Sequence, residues 1–163
     1  MIDVQRVAAS IDVDDASLVR AAQAVLVRAD VTGDLTVRIV ERDEMQAMNA
    51  RFRGKDAPTN VLSFAQDVRD ENDTPLLGDI VLCADVVERE AQEQGKTVVA
   101  HYQHMVVHGT LHLLGYDHID DDDALRMEQF ERDVLSAMNV SDPYAWPTGQ
   151  ASSAFSNRTT LDV

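Results

Sequence analysis

The amino-acid sequence predicts an α+β fold, in which a small mixed sheet of about four strands is packed by about five helices. Two observations support this prediction. As far as residue 83, short apolar runs with the two-residue period of strands alternate with amphipathic helical segments. From residue 85 onward the pattern is helical, and no internal repeat is visible. A length of 163 residues is that of one domain, so we expect one active site.

The first part of the chain predicts two strand–helix pairs. Residues 2–7 form a short strand, and the Asp pair at 14–15 begins an amphipathic helix that residues 32–34 end. Alternating apolar residues at 35–39 predict a half-buried strand. A second helix begins at 43–44 and is predicted to place three large apolar side chains on one face, those of Met45, Met48 and Phe52.

The middle of the chain is predicted to contain two short strands separated by a mobile connection. Residues 54–60 form a loop that leads into a strand at 61–64. Residues 66–75 are polar and rich in Asp and Asn, which is typical of a mobile connection. The apolar run at 80–83 predicts the fourth strand, and Cys83 within it is expected to be a small buried hydrophobe.

Three helices are predicted in the second half of the chain. They span 85–94, ended by Gly95, then 97–114, ended by Gly115, and finally 120–138. The acidic run at 120–123 is interpreted as N-cap and first-turn carboxylates, which the helix dipole favours, rather than as a cation site. Residues 141–163 lack periodicity and predict a disordered tail, which leaves 1–140 as one domain.

Composition limits the location and the partners. The chain has 29 acidic and 14 basic residues, and the formal net charge of -15 alone argues against a nucleic-acid partner. A cleft can still be locally positive, and a bound dication would change the field within it. The first ten residues carry no apolar signal region, and no run of eighteen apolar residues is present. We therefore expect a cytoplasmic protein with no membrane partner.

All five histidines fall within residues 101–118, on or just after the most apolar of the predicted helices. His108 and His112 are four residues apart, so on a helix they lie about 40° and about 6 Å apart and can both reach one ion. A straight helix cannot bring a third histidine to that ion. Gly115, however, can turn the chain back so that His118 reaches the pair.

The type of metal and of reaction follows from these donors. Neutral imidazoles suit zinc, nickel or cobalt, whereas magnesium and calcium prefer carboxylates. We predict one zinc ion per chain with a fourth position open to water, which is typical of catalytic zinc and favours hydrolysis. The alternative is that ordinary hydrogen bonds satisfy the three histidines. His104 is interpreted as a residue that supports the ligands, faces the substrate or packs in the core.

The spacing H-x3-H-x5-H, with an intervening glycine, matches the zinc motif of metzincin proteases except at one position. Those proteases carry a glutamate general base where this chain has Gly109, so a protease is disfavoured. Phosphodiester cleavage needs charge stabilisation instead, which a metal and an arginine can provide. The densest basic segment offers Arg51, Arg53 and Lys55 as phosphate contacts, although taken alone it is equally typical of a solvated turn.

Three segments together resemble the YbeY family of bacterial endoribonucleases and ribosomal RNA maturation factors. They are R-G-K-D-A-P-T-N-V-L-S-F at 53–64, L-G-D-I at 77–80 and H-M-V-V-H-G-T-L-H-L-L-G-Y-D-H at 104–118. The likeness covers residues 35–138. It implies that His108, His112 and His118 hold zinc, that Arg53 is the catalytic arginine, and that the fold is α+β with a four-stranded sheet.

For function, the resemblance implies cleavage of single-stranded RNA, maturation of the 3' end of small-subunit ribosomal RNA, and ribosome quality control. The implied partners are RNA on the small ribosomal subunit, an Era-type GTPase and a small-subunit ribosomal protein. Two other classes remain open. One is a ribosome-assembly binding factor whose zinc organises the C-terminal half, and the other is a hydrolase of small phosphate or amide substrates.

Overall fold

The computed structural model describes residues 1–116 and 120–140. Its strands are β1 (Ile2–Arg6), β2 (Asp34–Val40), β3 (Val61–Arg69) and β4 (Pro75–Cys83). The helices in these ranges are α1 (Asp15–Ala29), α2 (Arg42–Arg53), α3 (Ala84–Gln94), α4 (Val98–Leu113) and α5 (Asp121–Ala137). The predicted α+β class, with a four-stranded mixed sheet and five helices, is confirmed.

The four strands form one sheet in the order β1-β2-β4-β3. β1 pairs with β2, and β2 with β4, in parallel. β3 runs antiparallel to β4 and lies at an edge of the sheet. A register shift between Ala65 and Val68 marks an irregularity in this last pair. The edge position of β3 keeps part of its α4-facing side accessible near the C-terminal end of α4.

Helices cover both faces of the sheet. One face packs against α1 and α4, and α5 lies against both of these helices. The buried strand residues on that face alternate along the chain, as the two-residue period requires: Leu35, Val37, Ile39, Val61, Ile80 and Leu82. The opposite face packs a smaller cluster with α2 and the start of α3: Val40, Met45, Leu62, Val81, Cys83 and Val86. Cys83 is therefore a buried hydrophobe, as predicted.

α4 runs through the interior, as its apolar composition predicts. Twelve of its sixteen residues are buried. The helix contacts α1, α3, α5, β3 and β4. A helix enclosed on so many sides has no wide solvated face, so most polar groups on it must find partners inside the protein.

The acidic run at 120–123 caps α5, as interpreted from the sequence. The Asp120 carboxylate accepts a hydrogen bond from the backbone N–H of Asp123 at 2.8 Å, and the other carboxylates lie in the first turn. The predicted starts of α1 and α4 are also capped by side chains, those of Asp14 and Thr97. These caps satisfy backbone donors that the helices themselves leave unpaired.

The predicted mobile connection at 66–75 is wrong, because these residues form part of a β-hairpin. β3 continues beyond the predicted strand, and β4 begins directly after a turn at 70–74. The Asp70 carboxylate closes the turn by accepting from the backbone N–H groups of Asn72 and Thr74 at 2.8 and 2.9 Å. Pairing with β4 orders this segment, and local composition carries no information about that pairing.

The helix face that the sequence predicts to carry Met45, Met48 and Phe52 is buried only in part. Met45 is fully buried, but Phe52 is 54% exposed. Its ring packs edge-on against Phe64 with the centroids 5.2 Å apart. Because Phe64 belongs to the edge strand β3, the last turn of α2 contacts the border of the sheet rather than its centre.

Two predictions fall outside the described residues, namely the third ligand, His118, and the tail at 141–163. Both stay predictions. In the ranges 1–116 and 120–140, no helix has the length and apolar character that a membrane crossing requires.

Candidate active site

Four histidines lie on α4 at positions 101, 104, 108 and 112, and this spacing of three or four residues places them along one side of the helix. Those at 101, 104 and 108 are buried, whereas His112 is half-buried. His112 also lines a cavity. Solvent therefore reaches this row of imidazoles near the C-terminal end of α4.

His108 and His112 form the pair that the sequence predicts as metal ligands. Their Nε2 atoms lie 3.1 Å apart, and their ring centroids are 4.7 Å apart. Two nitrogens that bind one tetrahedral zinc at about 2.0–2.1 Å lie about 3.3–3.4 Å from each other. The two rings are thus close to the spacing that a shared ion requires, and this donor pair fits a zinc site.

The described residues hold two of the three predicted donors. Among residues 1–116 and 120–140, no group of three His, Cys, Asp or Glu side chains is arranged to hold an ion. The chain turns at the end of α4 as predicted, because Gly115 has a φ of 95°. The backbone N–H of Tyr116 then donates to the carbonyl of Leu111 at 3.0 Å and closes the helix end.

A buried carboxylate from α5 contacts two of the α4 histidines. The Nε2–H of His104 donates to Oε1 of Glu131 at 2.9 Å, and the same oxygen lies 3.4 Å from Nδ1 of His108. Burial opposes ionisation of Glu131, but its contacts with His104 and His108 hold its pKa well below the usual range. Burial lowers the pKa of His104 to about 4 despite the carboxylate. At neutral pH, an ionised Glu131 therefore lies beside a neutral His104.

A second carboxylate–imidazole pair lies farther along α4. Nε2 of His101 is 3.0 Å from Oε1 of Glu90, which belongs to α3. Glu90 also accepts from the side-chain amide of Asn60 at 3.2 Å. Because His101 precedes His108 by about two helical turns, this pair joins α3 to α4 away from the predicted ligands.

A cavity of about 240 Å³ opens beside His112. Its other lining residues come from the end of α2, the α4-facing side of β3 and the turn after α4: Arg53, Val61, Ser63, Ala65, Gly115 and Tyr116. A neighbouring cavity of about 350 Å³ shares Gly115 and Tyr116 and is also lined by Leu114, Asp123 and Arg126. The two cavities therefore adjoin along the turn that follows α4.

The structure brings Arg53 and His112 to one cavity, although they are far apart in sequence. Arg51 and Lys55 are not among the described residues that line it. The Arg51 guanidinium lies over the ring of Phe52, 5.2 Å from the centroid, and Lys55 is exposed in the following loop. Of the three predicted phosphate contacts, Arg53 is thus the one placed at the cavity, and the roles of all three stay predictions.

Gly109 faces the sheet. A Cβ added there would lie 2.8 Å from Cγ2 of Ile80 and 3.1 Å from Oγ of Ser63. Ile80 is fully buried and β-branched, so its side chain has little freedom to withdraw. A glutamate at this position would collide with β4 instead of reaching the cavity. Packing therefore accounts for the glycine and argues against a metzincin-type mechanism.

Sequence reasoning assigned no role to three residues at the site, Ser63, Tyr116 and Glu131. The Ser63 hydroxyl donates to the carbonyl of Gly109 at 3.1 Å. The sequence could have indicated this position, because Ser63 is two residues from Val61 on a strand and so lies on the same face of the sheet. Glu131 gave no such signal, because a glutamate within an amphipathic helix is usually solvated. Only the packing of α5 on α4 buries it.

Comparison with known proteins places these features in a family. The family model described as Endoribonuclease YbeY matches residues 4–139. Relatives named Endoribonuclease YbeY include proteins from two strains of Pseudomonas putida, which are 48% and 49% identical, and one from Pseudomonas entomophila, which is 48% identical. Each alignment covers 145 residues, which is 88% of this chain and 92% of the relative.

A solved structure shares the fold. The solution structure of TM1509 from Thermotoga maritima matches with a TM-score of 0.57 at 24% identity, covering 91% of this chain and 99% of that chain. At this identity the likeness concerns the fold alone. The family model and the Pseudomonas relatives carry the assignment, since both extend over most of the sequence. This chain belongs to the YbeY endoribonuclease family.

Proposed function

We propose that this protein is a zinc-dependent endoribonuclease that cuts single-stranded RNA. One observation carries the proposal: Arg53 and His112 line the same cavity. Cleavage of a phosphodiester needs groups of this kind, an exposed guanidinium and an imidazole that can bind a metal, at one cavity. The names of the family model and of the Pseudomonas relatives support this reaction class.

His108 and His112 would hold the zinc ion together with His118, which lies beyond the described residues. Zinc bound there supplies Lewis-acid stabilisation of the negative charge that develops on phosphoryl oxygens during hydrolysis. Arg53 binds the scissile phosphate in the cavity and stabilises the same developing charge through its guanidinium. Because His108 is fully buried, the protein interior shields the inner side of the site from water.

Preference for a single strand is supported by the surroundings of Tyr116. This residue lines both adjoining cavities, and its ring packs against Phe130 with the centroids 5.3 Å apart. An aromatic side chain held in this way can stack with an unpaired base, whereas paired bases stack within their own duplex. We propose that one nucleotide beside the cut site contacts Tyr116.

The acidic composition supports action on the ribosome rather than on free RNA. A formal net charge of -15 opposes binding to phosphate backbones, and Arg126 at the second cavity is paired with Asp123 at 3.7 Å. Docking on a partner would raise the effective concentration of the cleavage site without new RNA contacts. We therefore propose maturation of the 3' end of small-subunit ribosomal RNA and ribosome quality control. The proposed partners are a small-subunit ribosomal protein and an Era-type GTPase.

A non-catalytic ribosome-assembly factor is the second candidate. The observation in its favour is that none of the described residues lining the cavity beside His112 is a carboxylate that could act as a general base. In this case the metal would organise the C-terminal half of the fold. The two candidates differ in one measurable outcome, which is whether the protein cuts RNA.

The test uses metal-analysed, nuclease-free protein on one RNA sequence in single-stranded, duplex and subunit-embedded forms. We expect wild type to cut the single strand in preference to the duplex, and His112→Ala and Arg53→Ala to lose most of this activity. Arg20→Ala is the matched control, because Arg20 is exposed on α1 and does not line the cavity. Subunit binding by zinc-loaded wild type without any cleavage would favour the assembly factor. Equal cleavage by wild type and His112→Ala would contradict the nuclease proposal.

A further inference from the structure

We propose that Glu131 is a positioning residue for the metal site. It holds the His108 ring so that Nε2 faces His112, and it would stabilise the partial positive charge that the ring takes on when an ion binds to Nε2. This inference rests on the proposed metal-dependent function. It deepens that function by giving a role to a buried carboxylate on α5.

The geometry places the His108 ring between Glu131 and His112. Its Nδ1 lies 3.4 Å from the Glu131 carboxylate, and its Nε2 lies 3.1 Å from Nε2 of His112. One ring nitrogen of His108 thus faces Glu131 on α5, and the other faces His112 on the next turn of α4. A metal-binding histidine usually donates its second ring N–H to a carboxylate or carbonyl, which fixes the tautomer and the ring orientation. The Glu131 carboxylate lies on the Nδ1 side of the His108 ring, where such an acceptor is expected.

The separation of 3.4 Å lies within ion-pair range but exceeds the usual N–H···O distance of about 2.7–3.2 Å. A shift of a few tenths of an ångström in the ring or the carboxylate closes the difference. An ion bound to His108 would draw the carboxylate closer, because it makes the Nδ1–H a stronger donor. We therefore expect the contact to shorten on metal binding.

His104 braces Glu131 in this position. A buried ionised carboxylate is costly unless it is paired, and Glu131 is only 1% exposed. The Nε2–H of His104 supplies that pairing at 2.9 Å. His104 and His108 are one helical turn apart, so a single carboxylate from α5 reaches both. Of the three interpretations open to His104 from the sequence, support of a ligand fits this arrangement best.

Glu90 and His101 provide an internal control. They also form a carboxylate–imidazole contact to a histidine of α4, with a distance of 3.0 Å; His101 is buried and Glu90 is half-buried. His101, however, lies about two turns from His108 and is not a predicted ligand. Removing the charge of Glu90 therefore changes a comparable pair without touching the metal site.

The test compares Glu131→Gln with Glu90→Gln. Both variants keep the side-chain size and remove one negative charge. We expect Glu131→Gln to weaken zinc binding by about tenfold to a hundredfold, as measured by competition with a chromophoric chelator. The visible spectrum of the cobalt-substituted protein should change in the same variant, because the spectrum reports ligand geometry. Glu90→Gln should match wild type in both measurements.

Circular dichroism of the zinc-free protein shows whether Glu131→Gln folds. If it does not fold, a measurement on the wild-type protein tests the proposal instead. Heteronuclear NMR of the His108 ring in zinc-free wild type should find the proton on Nδ1. A proton on Nε2 instead, or a folded Glu131→Gln with wild-type zinc affinity, would overturn the proposal. None of these three readouts uses RNA, so this inference can fail while the nuclease assay succeeds, and the reverse also holds.

Discussion

The Nε2 atoms of His108 and His112 lie 3.1 Å apart on one side of α4. We therefore expect the purified protein to hold one zinc ion per chain and His112→Ala to lose it, because the substitution removes a ligand. His104→Ala should keep the one-to-one stoichiometry, since His104 contacts Glu131 rather than the ion. Elemental analysis after dialysis measures both. Equal zinc loss in the two variants would contradict the choice of His118 as the third ligand.

Arg53 is expected to act on the substrate and not on the fold. Its side chain is exposed at the end of α2 and lines the cavity beside His112. Arg53→Ala should lower the cleavage rate by about tenfold to a thousandfold, and Arg53→Lys should recover only part of it, because an ammonium group cannot form the bidentate contact. The melting temperature and zinc content should stay near wild type. A melting temperature that falls in step with activity would assign Arg53 a structural role.

Arg51 serves as the matched comparison for Arg53. It is a neighbouring arginine on the same helix, but its guanidinium lies over Phe52 instead of in the cavity. Arg51→Ala should therefore cost less activity than Arg53→Ala in the same assay. The reverse order would move the phosphate contact from Arg53 to Arg51.

Gly109→Ala should destabilise the protein, although glycine-to-alanine changes inside helices usually stabilise them by up to about 1 kcal/mol. The new Cβ would lie 2.8 Å from Cγ2 of the buried Ile80. Overpacking of this kind costs about 1–3 kcal/mol. Chemical denaturation measures the change. The double variant with Ile80→Val removes only a distal methyl of Ile80 and not Cγ2, so it should recover little stability. A stabilised single variant would show that the helix can move away from β4.

The stability of the zinc-free protein should fall in mild acid through His104. Its pKa in the folded protein is about 4, below the ordinary value of 6.5. Between these pH values the unfolded chain binds a proton that the folded chain does not, so the free energy of unfolding falls as the pH drops from 6.5 towards 4. The lowered pKa of Glu131 acts in the same direction at lower pH. Denaturation at several pH values with chelator present gives the slope. His104→Phe should flatten it over this window, and an unchanged slope would contradict the assignment.

Naked RNA should bind weakly and with a measurable salt dependence. The net charge of -15 leaves few cations at the site, so we expect about two to four phosphate contacts. The same sequence carried on small ribosomal subunits should be cut faster, because docking raises the local concentration of the cleavage site. The measurement is cleavage rate against salt for both substrates. Tight, salt-insensitive binding to naked RNA, or equal rates on the two substrates, would refute this electrostatic argument.

Local patterns in the sequence were sufficient for much of the fold. The alternation at 35–39, the acidic cap at Asp120 and the apolar composition of α4 each express a rule that acts within a few residues, and the structure follows them. The same is true of His108 and His112, because helical periodicity alone brings positions four apart onto one face.

Only the tertiary structure determines the contacts between elements, which rules acting within a few residues do not predict. Pairing with β4 orders most of the polar segment at 66–75 as part of a hairpin. Phe52 lies at the edge of the sheet and stays exposed. The approach of Arg53 to His112 and the burial of Glu131 beside His108 join residues from different elements. Such contacts depend on how helices and strands pack across long sequence separations, and periodicity within a single element does not encode that packing.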